Sequence, residues 1–262
     1  MGKEQYINFN SIIPVIGLEL EFYLLKEGDK ILSSNQLIDK FLFEFANQLN
    51  FKIEKEQGDG QIEVKTLPSS DIKSIIQDLI LIKKIINEIA AKLGIEANFS
   101  AQPFKDDCGS ALQVNLSLWD KNNQNLFAKN NYGESNFLLN SIAGMLEFTS
   151  KILPIAASKK EDFLRYNLDL NLNLFKKKKY TAPVNVSWGY DNRTCLIRVP
   201  KSIKPEDRRI EYRLASADSN VASLINLLLK AVKYGIDNNL NPMQPIYGNA
   251  FDKSYNLEKL FH

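Results

Sequence analysis

The sequence predicts an α+β fold: a curved, mainly antiparallel sheet that lines a cleft, with helices on its outer face. Three observations lead there. Several short segments alternate apolar and polar residues with a period of two, as half-buried strands do. Between them run long stretches whose apolar residues fall at helical spacing. The strands each keep one wholly polar face, so one side of the sheet packs under helices and the other faces a cavity. At 262 residues, 44% hydrophobic and 24% charged, the chain has an ordinary globular composition. No composition break or internal repeat divides it, so residues 1–262 read as one domain.

The first strand, Val15 to Leu25, is rich in β-branched and aromatic residues. Alternation puts Leu18, Leu20, Phe22 and Leu24 on one face and Gly17, Glu19, Glu21 and Tyr23 on the other. The two carboxylates then stand roughly 7 Å apart along the strand. That face is either a wet strand surface or the floor of a divalent-metal site. Glu27 to Lys30 reads as a turn, and Ser33-Ser34-Asn35 offers N-caps for a helix from Gln36 to Leu49. Phe51 to Gln57 reads as a strand, Gly58-Asp59-Gly60 as a tight turn, and Gln61 to Lys65 as a strand with Glu63 on its polar face. Ser69-Ser70-Asp71 caps a helix from Asp71 to Leu93, which Gly94 stops.

Two more strands are expected at Ile95 to Gln102 and Leu112 to Leu118, the second with Gln113, Asn115 and Ser117 on its polar face. Asp120 to Glu134 reads as an exposed loop, and Ser135 to Leu153 as a helix ending at Pro154. Ala157 to Tyr180 has no clear period, and its run Lys176 to Lys179 reads as a solvated loop. Val184 to Trp188 and Thr194 to Val199 look like strands paired around Gly189 to Asn192. Arg208 to Leu214 follows as a strand with Arg209, Glu211 and Arg213 on one face. Ser219 to Tyr234 is a last helix, and the segment from Asn241 is irregular.

Bulk properties narrow the function. Lys+Arg 33 against Asp+Glu 31 gives a net charge of +2, too little field to suggest nucleic acid or a membrane surface as partner. The polar N-terminus has no apolar signal core, and no apolar run is long enough for a membrane span. Two cysteines, Cys108 and Cys195, are too few for a disulfide framework, so a cytoplasmic location is expected. The only histidine is His262. An internal metal site must therefore use oxygen ligands, perhaps with a cysteine, and oxygen favours Mg²⁺ or Mn²⁺. The polar-face carboxylates are Glu19, Glu21, Glu56, Glu63 and Glu211. Two of them about 5 Å apart would repel by roughly 3 kcal/mol at an effective dielectric near 20. If all five converge, cations must accompany them.

Six segments in order resemble the glutamine synthetase family. Gly17-Leu18-Glu19-Leu20-Glu21-Phe22 resembles the strand that opens its catalytic domain. Glu56 to Glu63 is similar to the family's Glu-x-x-Pro-Gly-Gln-x-Glu loop, and Gln102-Pro103-Phe104 with Gly109-Ser110 to its Lys-Pro-Phe…Gly-Ser segment. Ala182 to Pro200 resembles a long family signature, Arg208 to Arg213 its Arg-Arg-Ile-Glu-Phe-Arg strand, and Asn241 to Asn249 a later segment. The fold implied is the glutamine synthetase/guanido kinase catalytic-domain type.

The resemblance implies a reaction: ATP phosphorylates the γ-carboxylate of glutamate, and ammonia or a larger amine displaces the phosphate. By position, Glu21, Glu56 and Glu63 would hold one Mg²⁺ or Mn²⁺ ion, and Glu19 and Glu211 another, with two or three ions in all. Arg193, Arg198 and Arg209 would bind and polarise phosphate oxygens, as planar fixed-charge donors do. Arg213 and the Gly109 backbone would hold the amino-acid substrate, and Ser117 would lie on the nucleotide side. Gln113 replaces the family's metal-binding histidine, Asn115 the next one, Thr181 the acid of the family's flap, and Phe175 a substrate-binding arginine. The family's N-terminal β-grasp domain is not seen ahead of residue 15. It would have to be dispensed with or supplied by a separate chain, and a homo-oligomer remains open. The alternative function is a catalytically impaired nucleotide- and metal-binding relative with a regulatory or partner role.

Overall fold

A computed structural model describes residues 11–129, 133–180 and 182–260. Thr181 and His262 therefore lie outside the described residues. The first strand, β1 (Ile13–Lys26), is the spine of a nine-stranded sheet. It pairs antiparallel with β2 (Asp29–Lys30), β4 (Gln61–Lys65), β5 (Glu96–Asn98) and β6 (Leu112–Trp119). The sheet continues through β3 (Lys52–Lys55) beyond β4. On the other side, β9 (Ile210–Tyr212), β8 (Ile197–Val199) and β7 (Trp188–Tyr190) follow β6, in the order β3-β4-β1-β6-β9-β8-β7. All of these pairs are antiparallel except β7 with β8.

Alternation decides the two faces. Leu18, Leu20, Phe22 and Leu24 of β1, Ile62 and Val64 of β4, and Leu112, Val114, Leu116 and Leu118 of β6 all join one buried cluster. Two helices share that cluster: α1 (Gln36–Ala46), through Ile38, Phe41 and Phe45, and α2 (Ile72–Lys92), through Ile75, Leu79, Ile82 and Ile86. Asn35 caps α1 by accepting from the Leu37 N–H, and Asp71 caps α2 by accepting from the Ser74 N–H. Gly94, at φ +67°, ends α2 in the left-handed conformation. Two further helices, α3 (Asn136–Glu147) and α6 (Val221–Asp237), pack on each other across Gly144 and Gly235. A Cβ on Gly144 would stand 2.0 Å from the Ala231 carbonyl oxygen, and one on Gly235 would stand 2.0 Å from that of Asn140.

Several boundaries differ from expectation. The strand expected to Gln102 stops at Asn98, whose side chain takes the Ser100 N–H at 2.8 Å and turns the chain. The helix expected over 135–153 is two helices: α3 ends at Glu147, and α4 (Thr149–Ala156) carries Pro154 in its last turns. Proline removes one donor there, but the helix runs two residues further. The segment 157–180 folds as a 3₁₀ turn, Lys160–Tyr166, and a helix, α5 (Leu168–Lys176). The lysine run is not a wholly solvated loop, because Lys179 pairs with the buried Asp107 at 2.9 Å.

The expected pairing around Gly189 also differs, since β7 and β8 run parallel with Trp188 opposite Ile197. Residues ahead of β7 pair instead with the segment after α6. Val186 N–H donates to the Glu258 carbonyl at 2.8 Å, and Ile246 N–H donates to that of Trp188 at 2.8 Å. Among the described residues, no helix is long and apolar enough to cross a membrane.

Candidate active site

The polar face of the sheet carries the charged residues in register. Glu21 of β1 lies directly opposite Glu63 of β4, and Glu19 lies opposite both Lys65 of β4 and Gln113 of β6. Asn115 of β6 faces Glu211 of β9, which in turn faces Arg198 of β8. Five neighbouring strands thus set one row of ionisable side chains. Period-two side-chain direction and antiparallel register are enough to produce it.

Glu21 is 7% exposed, and its carboxylate accepts three hydrogen bonds. Gln113 Nε2 donates to one oxygen at 2.7 Å; Ala111 N–H at 2.9 Å and Gln61 Nε2 at 3.3 Å reach the other. The backbone of Glu21 is also tied to β6, its N–H donating to the Ala111 carbonyl. Burial first, and then the Glu56 charge, push the Glu21 carboxyl up to about 7.

Glu19 and Glu63 are hydrogen-bonded to each other and act on each other's titration. Burial, the Glu19 hydrogen bond and the Glu19 and Glu21 charges push Glu63 up to about 9. Burial also acts to raise Glu19, but the hydrogen bond from Glu63, the Lys65 charge and a hydrogen bond from Asn115 outweigh it and hold it at about 2. The two carboxyl groups titrate as a pair.

At the far end of the row, Arg198 Nη1 donates to Glu211 Oε2 at 2.7 Å, and Arg213 Nη1 donates to the other oxygen. Arg213 also donates to Gln113 Oε1 at 3.0 Å, which joins the two halves of the row. The Gly109 carbonyl accepts from Gln61 Nε2 at 3.0 Å and so borders the Glu21 end.

Three residues sit on cavities beside the row. Ser117, which accepts from the Trp119 indole N–H at 2.9 Å, and Arg209, whose Nε donates to Asn115 at 2.8 Å, line a cavity of about 290 Å³ together with Glu19 and Lys65. Arg193 is exposed and lines two others. One, of about 610 Å³, also has Phe175, Tyr180, Tyr190 and Arg198 on its wall. The second, of about 670 Å³, holds Glu54, Glu56 and Lys179. Glu56 and Arg193 therefore share a cavity at the end of the row, outside the hydrogen-bonded network.

Lys65 and Gln61 are functional-face residues beyond those singled out from the sequence. The signal was present, since the alternation that exposes Glu63 also puts residues 61 and 65 on its face. Lys65 lies within 3.3 Å of Glu19, Glu54 and Glu63.

The donors suit a divalent cation in kind, being carboxylate oxygens with one amide oxygen. The raised Glu21 and Glu63 are groups that a cation would return to the charged form. Cysteine is a poor donor here: burial pushes the thiols of Cys108 and Cys195 up to about 12. Among the described residues, no three acidic, histidine or cysteine side chains are gathered at metal-ligand spacing. Instead the carboxylates turn to Lys65, Gln113 and the arginines.

The family model for glutamine synthetase, catalytic domain, matches residues 3–260. The gamma-glutamylputrescine synthetase PuuA of Escherichia coli is 24% identical, over 95% of this chain and 57% of its own length. A glutamate–isopropylamine ligase from a Pseudomonas species is 34% identical over 78% of this chain and 42% of its own. The glutamine synthetase of Methanococcus voltae is 27% identical over 91% and 55%. The chain thus spans about half the length of these relatives. A solved structure of a GmaS/ADP complex superposes with a TM-score of 0.79 at 18% identity, over 95% of this chain and 60% of that one, a likeness of fold. A match over nearly the whole chain, on the sheet that carries the acidic row, shows that this protein belongs to the glutamine synthetase catalytic-domain family.

Proposed function

We propose that the chain is a glutamate–amine ligase that uses ATP and divalent cations and accepts ammonia or a larger amine. The observation that carries this reading is the row Glu63–Glu21–Gln113–Arg213–Glu211–Arg198 laid between open cavities. It combines acidic donors for cations with fixed guanidinium groups for phosphate oxygens. The names of two relatives, which join glutamate to putrescine or isopropylamine, support an organic amine as acceptor.

In this reading Glu21, Glu56, Glu63 and Gln113 hold one Mg²⁺ or Mn²⁺ ion, and Glu19 and Glu211 another. Bound there, such ions would supply positive charge to offset that of the phosphates. Ser117 and Arg209 border the nucleotide side, in the cavity they share with Glu19. Arg193 and Arg198 line one cavity from opposite ends of a loop and meet the transferring phosphoryl group. Arg213 and Gly109 orient glutamate from positions bordering the Glu21–Gln113 pair. A γ-carboxylate oxygen attacks the terminal phosphorus of ATP and ADP leaves. The amine nitrogen then attacks the γ-carbonyl carbon, the C–O bond to phosphate breaks, and inorganic phosphate departs with the bond pair. The reading also puts the chain in the cytoplasm, a location supported by two free, buried thiols.

The test is ADP release with Mg²⁺ or Mn²⁺, glutamate, and ammonia, isopropylamine or putrescine, with hydroxylamine as a general acceptor. Turnover is expected with at least one amine, and Arg198→Ala should lower kcat about 100-fold or more. Saturable ADP binding without phosphate release for any acceptor would overturn the ligase and leave a nucleotide-binding relative.

A further inference from the structure

Lys65 is the last residue of β4, directly opposite Glu19. Its Nζ lies 2.7 Å from Glu63, 3.3 Å from Glu19 and 3.3 Å from Glu54. These carboxylates come from three strands, and the register of β3, β4 and β1 fixes their meeting. The ammonium is shielded: the side chain is 31% exposed, against 13% for Glu19 and 4% for Glu63. An exposed lysine pair is worth little and is easily broken by solvent. An ammonium held by the carboxyl groups of Glu19, Glu54 and Glu63, with Glu63 buried and Glu19 half-buried, instead stands where the charge of the floor calls for a cation. An ammonium is a compact point charge and can fill such a place. It keeps its oxygens near 3 Å, whereas Mg²⁺ needs them at about 2.1 Å. The one oxygen that each of Glu19, Glu54 and Glu63 gives to Lys65 is therefore lost to a metal at that position, and the other oxygen is left to it.

We propose that Lys65 is a built-in counter-cation that occupies one cation position of the acidic floor. The chain accordingly takes up one divalent ion fewer than its acidic residues would otherwise hold. The inference rests on reading the floor as a cation site, but not on catalysis.

The test counts Mn²⁺ bound per chain, by electron paramagnetic resonance and equilibrium dialysis, with and without ADP. The proteins are the wild type, Lys65→Gln and Lys65→Arg. Lys65→Gln is expected to take up one more Mn²⁺ than the wild type, and Lys65→Arg none more. An unchanged count in Lys65→Gln overturns the proposal. Should that variant fail to fold, Lys65→Met is counted in its place, with the same two outcomes. One extra ion in Lys65→Gln, with no amine turned over by the wild type, upholds Lys65 while sinking the ligase. Turnover by the wild type with an unchanged count in Lys65→Gln does the reverse.

Discussion

Glu211 is gripped at both oxygens, by Arg198 and by Arg213, and is 2% exposed. Removing its charge takes the anion away from two guanidinium groups held out of bulk water. Glu211→Gln should therefore cost about 3 kcal/mol of unfolding free energy, read by urea denaturation. Asp107 makes a cleaner pH experiment, away from the acidic row. Its carboxylate takes Lys30 at 2.8 Å, Lys179 at 2.9 Å and the N–H groups of Cys108 and Asp59. Burial acts to raise it, but Lys30, Lys179 and the two amides outweigh burial and bring it from 3.8 to about 2. A depressed carboxyl stabilises fully above its unfolded value and loses that stabilisation as pH falls through the folded one. Asp107→Asn should thus be less stable than wild type by roughly 1–2 kcal/mol at pH 7, and the gap should close between about pH 4 and pH 2. A gap that stays constant over that range would show that the charge is not the cause. At this scale the sequence was readable as to which face a side chain occupies. Glu19, Glu21, Glu63 and Glu211 could be placed by counting in twos. Which partner each carboxylate chooses depends on cross-strand register, and one sequence does not contain it. The same count puts Lys65 on the face of Glu63, but its partners Glu19 and Glu54 are set by register.

The α3–α6 contact depends on two glycines that let backbone meet backbone. Gly144→Ala or Gly235→Ala must push a carbonyl away from 2.0 Å, and both helices are held by the core on their other sides. A loss of about 2–3 kcal/mol by chemical denaturation is expected for either. The double variant should cost less than the sum, because the first substitution already opens the gap. The helices were legible where caps and stripes agree, as in α2 with Asp71 at its start and Gly94 at its end. Short elements were not. The end of β5 is set by one Asn98 side chain, and the parallel β7–β8 pair is set by contacts with a segment some fifty residues away. Neither leaves a local period to read.

For the molecule as a whole, a ligand that binds the native floor and not the unfolded chain must raise its stability. ADP with Mn²⁺ at about 100 times Kd should add roughly 2.7 kcal/mol, or about 5–10 °C in Tm for a domain of this size. No shift with nucleotide and metal together would argue against a cation-dependent nucleotide site. The layer arrangement was legible, because a sheet with one apolar and one charged face leaves helices a single side to cover. The strand order was not, since β1 sits at the centre by pairing with four other strands.

The stitching of residues 246–260 along β7 has a consequence for how the chain is made. Until that stretch has cleared the ribosome, Trp188 and its neighbours offer unpaired amides and carbonyls at a raw margin of the sheet. Nascent chains stalled just past α6 should accordingly be held by chaperones or clump together, and those released beyond residue 260 should do neither.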